Sequence, residues 1–189
     1  LPLTLTLTLT RWDVGAHAPS QMPRARGYHR FFGYVSHDND YWTYRCSYGV
    51  PRCVDLVRDD DFAANDLNSL DGSCKPSTRS RPRNTSKDCM YVDDRFENEV
   101  ARILDEHTSE QPRGQKGRRT VHPLRRPLFL FWSMHSVHSP IQPSHSAMLE
   151  VDSMYAAATC TRPGSEIRDN QAMIRDMDAR VGRVMGRVK

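Results

Sequence analysis

The apolar run Leu128–Trp132 constrains this chain more than any other stretch, because it is closed by Pro127 on one side and by small polar residues on the other. It is too short to cross a membrane and has no polar face. It therefore reads as a fully buried, central strand of a parallel sheet. In open α/β sheets ligands bind beyond the carboxyl ends of the strands. This strand delivers His135 and His138 to that position. An imidazole there can act as an acid or a hydrogen-bond donor near neutral pH. The residues alone describe a solvated loop histidine better than a functional one, and His135 has the weaker claim of the two.

Helical periods stand on both sides of the strand. Phe96, Val100, Ile103 and Leu104 share one face of a helix predicted over about 93–106. Ile167, Ile174, Met177, Val181, Val184 and Val188 form one stripe and predict a helix over 167–188. Helix, strand, helix is the alternation of the α/β class. Residues 1–10 alternate Leu and Thr with period two, as a half-buried strand does, and are equally a low-complexity extension. Pro19, Pro23, Gly15 and Gly27 make 11–30 a loop, whereas the aromatic density of 31–57 predicts short packed elements. Residues 70–88 and 109–126 lack both apolar content and period, and are expected to be the least ordered.

Only 38% of the 189 residues are hydrophobic, so the chain affords a core with much loop around it. The formal net charge of +4 is too mild to imply a polyanion partner, and no nucleic acid is expected. Arginines and lysines do cluster in 113–126 and again in 75–87, which opens a second reading as a basic anion-binding module. No aromatic residue interleaves with either cluster, so solvated loops account for them better. None of the five cysteines sits in a CxxC pair, which argues against a zinc ribbon. Cys46 and Cys53 bracket a short loop, as a disulfide or as two free thiols. With the Asn84-Thr85-Ser86 sequon they lean toward an exported protein, whether secretory, extracellular or lysosomal. No membrane span is expected.

Four ordered segments resemble the arylsulfatases of the sulfatase family. RWDVGAH (11–17) is similar to that family's GKWxxG segment, and RGYHRFFGYVSHDNDYW (26–42) to RGFDxFFGY with the NDYW that follows in some branches. LFLFWSMHSVHSPIQ (128–142) looks like FLYLAxQxVHxPLQ, and AMIRDMDARVGRV (172–184) like AMVxxMDxxVGxV. The resemblance implies an α/β fold: a fragment of an alkaline-phosphatase-like sulfatase core sheet flanked by helices, with long disordered loops. It makes residues 1–10 a low-complexity segment and 11–189 part of a sulfatase catalytic domain, with the last helix packed on the core sheet. The implied activity is hydrolysis of sulfate esters, with a sulfate-ester small molecule or a sulfated glycan as partner.

Matched residue by residue, the family's sulfate-contacting histidine is His138, and its lysine is Arg11, which keeps the charge but presents a planar fork. Asp13 takes a position where many members carry histidine. The three are expected at one cleft on the carboxyl edge of the sheet, with Asp13 at the rim and His135 pointing away or lining the wall. The family's nucleophile is a formylglycine made from a C/S-x-P-x-R motif that precedes GKWxxG, and nothing in residues 1–10 is that motif. Cys74-Lys75-Pro76-Ser77-Thr78-Arg79 has its arginine one place too far and lies on the wrong side of RWDVG. The family's calcium ligands, an early Asp-Asp and a late Asp-Asn, are likewise unmatched, and Asp59-Asp60-Asp61 is expected to face solvent. No metal site and no bound calcium are expected for this chain alone. It is then a binding half-site that does not turn over, or a non-catalytic sulfatase-like remnant.

Overall fold

The computed structural model describes residues 5–12, 14–36, 39–45, 54, 56–62, 90–109, 127–158 and 164–188. Five strands form one mixed sheet: β1 (Leu5–Arg11), β2 (Arg30–Tyr34), β3 (Leu56–Arg58), β4 (Asp61–Phe62) and β5 (Leu128–Ser133). Their order across the sheet is β4-β3-β2-β1-β5. β1 runs parallel to both β2 and β5, while β2–β3 and β3–β4 pair antiparallel. Among the described residues there are three α-helices: α1 (Val92–Ser109), α2 (His145–Ala157) and α3 (Ser165–Val188). The five cysteines, Asn84, residues 70–88 and 110–126 lie outside the described residues.

The middle of the described sheet is β2, and the Leu/Thr strand β1 stands between it and β5, which corrects the expectation that 128–132 is central. β5 is parallel, as its composition demands, but it stands at the edge beyond β1. It is also not buried on both faces. Leu128, Leu130 and Trp132 pack on the main core, whereas Phe129 is 51% and Phe131 45% exposed. A continuous apolar run satisfies a half-covered strand as well as a buried one, so its composition could not decide the position. In the register of the three parallel strands, Leu9 aligns with Phe32 and Trp132, and Thr8 with Phe31 and Phe131.

The main core lies between the sheet and α1. Phe96 meets the rings of Phe32 and Tyr34 edge-on at 5.5 and 5.6 Å. Phe96, Val100 and Ile103 are buried, as the period predicts, Leu104 is half-buried, and Val92 is buried with them. On the opposite face Trp12, Phe31 and Val57 form a smaller cluster. Of the acidic triplet, Asp60 and Asp61 are exposed, but Asp59 is not idle: it turns β3 into β4 at φ 59° and accepts the Phe31 N–H at 3.0 Å.

α3 forms where the stripe places it, yet it presents a different face to the core. Asp169, Ala172, Met173, Arg180 and Val184 are buried, while Ile167, Ile174, Val181 and Val188 face solvent. The buried face is organised by a cation. Arg180, 2% exposed, donates to Glu97 at 2.9 Å, Asp94 at 2.6 Å and Asp176 at 3.0 Å, and lies over the Tyr91 ring. Burial disfavours the charge, but Asp176 and Asp94 outweigh it and raise the guanidinium pKa. A hydrophobic period cannot register a buried ion network, so of the stripe only Val184 is buried and Met177 half-buried.

Candidate functional site

Three parallel strands end together at the carboxyl edge. Arg11 closes β1 in register with Tyr34, the last residue of β2, and Thr10 is in register with Ser133, the last of β5. The chain leaving β1 is then fastened. Trp12 donates its backbone N–H to Tyr34 O and its indole N–H to Gly15 O and Gln21 O, all at 2.9 Å. Gly15 turns at φ 95°, a conformation that a side chain resists. Arg11 is placed here by its backbone, and Asp13 lies outside the described residues.

The loop between β5 and α2 carries the histidines. It is bounded by the end of β5 and by Ser144, whose hydroxyl accepts the Ala147 N–H at 3.3 Å and caps α2. His135 is 3% exposed. Its ring stacks on Tyr41 at 4.0 Å and meets Tyr34 edge-on at 5.3 Å, so it belongs to the aromatic packing beneath the loop. The His138 ring is half-buried, 6.3 Å from that of His135. Its Nδ1 lies 2.8 Å from Ser139 O, which can only accept, so Nδ1 carries the proton in that hydrogen bond. Nε2 then becomes a donor only in the imidazolium form.

Beneath the loop is a polar layer that sequence reasoning did not assign. Ser136 donates its hydroxyl to Asp93, in the first turn of α1. Burial pushes the Asp93 carboxyl up to about 6, against the Ser136 hydrogen bond and Arg180, which favour the charged form. Tyr41, fully buried, donates its hydroxyl toward His135 O at 3.1 Å and His138 O at 3.0 Å. Gln142 accepts the Tyr41 N–H at 2.9 Å and donates to Asp40 at 2.7 Å. Asp40 in turn accepts from the backbones of Trp42 and Thr43. The available signal was the pair of segments NDYW (39–42) and HSPIQ (138–142), which the fold latches together.

A second cluster of cations lies on the sheet near Arg30, at the amino end of β2, around a cavity of about 440 Å³. Arg30 pairs with Glu106 at 3.0 Å, and Arg58 pairs with Glu99 at 2.9 Å. Arg102 bridges both glutamates. Burial favours the neutral form of Glu99, but its bonds to Arg102 and Arg58 prevail and hold its pKa below the ordinary value. Each of the three guanidiniums is paired with Glu99 or Glu106, and Asp59 lies on the same lining, which makes the cluster a structural network. Among the described residues, no group of three or more His, Cys, Asp or Glu side chains is arranged to hold a metal ion. Nor is any described helix long and apolar enough to cross a membrane.

No family model matches the chain. Among solved structures it is similar to Ps i-CgsB, a carrageenan sulfatase, with a TM-score of 0.60 and 15% identity over 98% of this chain and 34% of that one. The complex of Ps i-CgsB with k-i-k-neocarrahexaose gives a TM-score of 0.59 at the same identity. The chain thus spans about a third of the length of the structures it matches. At this identity the likeness speaks to architecture alone: the fold is sulfatase-like, of the α/β class.

Proposed function

We propose that this chain forms the anion-recognising part of an arylsulfatase-type site for sulfate esters, and that it does not hydrolyse them by itself. His138 contacts the sulfate group, Arg11 clamps its oxygens, and Asp13 at the rim orients one of the two. A sulfate ester spreads its charge over its non-bridging oxygens. A guanidinium and an imidazolium N–H that converge on them oppose that charge without backbone rearrangement. The supporting observation is the position of His138, on a loop tethered at the carboxyl edge where the strand ending in Arg11 also stops. A sulfated glycan is the favoured ligand class, since one of the similar structures is bound to a carrageenan oligosaccharide. In the family the reaction belongs to a formylglycine from a C/S-x-P-x-R motif, and this sequence contains no such motif.

Calorimetric titration with a sulfated oligosaccharide and its desulfated counterpart tests the reading. Only the sulfated form is expected to bind. His138→Ala is expected to weaken binding roughly tenfold or more, the worth of one charge-assisted hydrogen bond, with little change in thermal stability. A chromogenic aryl sulfate is expected to remain unhydrolysed. Equal affinity for both oligosaccharides, or an unaffected His138→Ala, would overturn the assignment.

A further inference from the structure

We propose that Tyr41 is the positioning residue of this site: its hydroxyl sets the path of the 135–138 backbone and so the direction in which His138 faces. The inference rests on the anion-binding reading of His138. Tyr41 is 0% exposed and comes from a segment remote in sequence, yet three backbone groups of the loop converge on its hydroxyl. His135 O and His138 O lie at 3.1 and 3.0 Å, and the His138 N–H donates to the same oxygen at 3.3 Å. A phenol has one proton. It can serve the two carbonyls only by sharing that proton while its lone pair receives the His138 amide. Both backbone polar groups of His138 are therefore engaged by a single side-chain atom.

The phenol is itself held from every side. Its ring is stacked between His135, at 4.0 Å and 3°, and Tyr91, at 5.4 Å and 15°. Its backbone N–H donates to the Gln142 side chain, and the Tyr91 hydroxyl donates to Gln142 O at 2.9 Å. The loop is thus gripped at both ends, by Tyr41 at 135–138 and by Tyr41 and Tyr91 at Gln142. A hydroxyl that only relieved buried carbonyls would need no amide contact at the histidine. This one defines the backbone on which the imidazole is mounted, and small misplacements of such a group are costly in a binding site.

The test is Tyr41→Phe in the full chain, which removes one oxygen and keeps the stack. Amide hydrogen exchange and a titration with inorganic sulfate, followed at the His138 ring by NMR, are read together. Exchange at the His138 amide is expected to quicken by about tenfold or more while Phe96 and Val100 in α1 stay protected. Sulfate affinity is expected to fall by about fivefold, as for loss of preorganisation. Unchanged exchange at His138, or equal acceleration throughout α1, overturns the positioning role. Quickened exchange with unchanged sulfate affinity overturns it too, since the loop would then be loosened without consequence for the anion. A wild-type chain whose His138 ring ignores sulfate would remove the anion reading beneath the proposal, and is recognisable because the variant is not needed to see it. If Tyr41→Phe does not fold, Gln142→Ala reports on the same grip from its other end. It is expected to quicken the same amides and weaken sulfate binding to a smaller degree, and failure of either would overturn the proposal.

Discussion

Asp93 shows how one side chain can tie the loop to the stability of the whole chain. Its carboxyl is raised from 3.8 to about 6 because it is buried, although Ser136 and Arg180 pull the other way. The folded chain thus holds this proton more tightly than the unfolded chain does. That contribution is complete below about pH 4 and is lost as pH rises through about 6. The ionised carboxylate at pH 7 then costs roughly 3 kcal/mol, at 1.36 kcal/mol per unit. Glu97 behaves oppositely. Burial favours its neutral form, but the bonds from Arg183 and Arg180 hold its pKa below 4.5, so its share is lost as pH falls through its lowered value. Asp93→Asn keeps the acceptor for Ser136 and removes the charge. Urea denaturation from pH 4 to 7 is expected to show a flatter profile for the variant across pH 4–6, with no loss of stability at pH 7. Parallel profiles for the two proteins would contradict this account.

At the scale of elements, α3 separates hydrophobic pattern from burial. Its most regular apolar positions, Ile167, Ile174, Val181 and Val188, are on the outside, while Met173 is fully buried against the sheet side of α1. Met173→Ala is therefore expected to cost about 2–5 kcal/mol, the range for emptying a buried methionine site. Val181→Lys is expected to change stability by less than about 0.5 kcal/mol, as an exposed helical substitution does. Chemical denaturation of the two variants decides between the observed face and the one the period indicates, since reversal of the two effects would restore the latter. β5 makes the same point for a strand. Its pairing with β1 uses every residue from Leu128 to Ser133, but only alternate side chains reach the core.

At the scale of the molecule, these exposures leave large apolar side chains open on both the sheet and α3. Phe129 and Phe131 lie open on the sheet, and Ile167, Ile174, Val181, Met185 and Val188 line the outside of α3. Large exposed patches favour association, and an edge strand with apolar residues is a template for it. The chain alone is expected to associate in dilute buffer, with a sedimentation coefficient that rises with concentration. A monomer with one cooperative thermal transition at all concentrations would count against that view. The sulfatase-like architecture nevertheless coincides with almost the whole chain, 98% of it, so the described elements are arranged as in a much longer protein.

Local pattern determined the existence of these elements. The period of α1 announced a helix and the run at 128–132 a strand, because backbone geometry repeats at 3.6 or 2 residues whatever surrounds it, while the alternation of Leu and Thr fitted a strand and a low-complexity extension alike. The sequence also identified His138 as the residue just beyond a strand end, and a parallel sheet gathers such ends at one edge. What lay beyond it was placement. Which strand is central, which side of α3 is covered, and that Tyr41, Asp93 and Gln142 converge on one loop all depend on contacts between distant residues. Arg180 chose the buried face of α3 through Asp94, Glu97 and Asp176, and a charge at the centre of a helix leaves no periodic trace. Tyr41 read as one aromatic residue among many, and only the tertiary structure brought its hydroxyl to the backbone of His138.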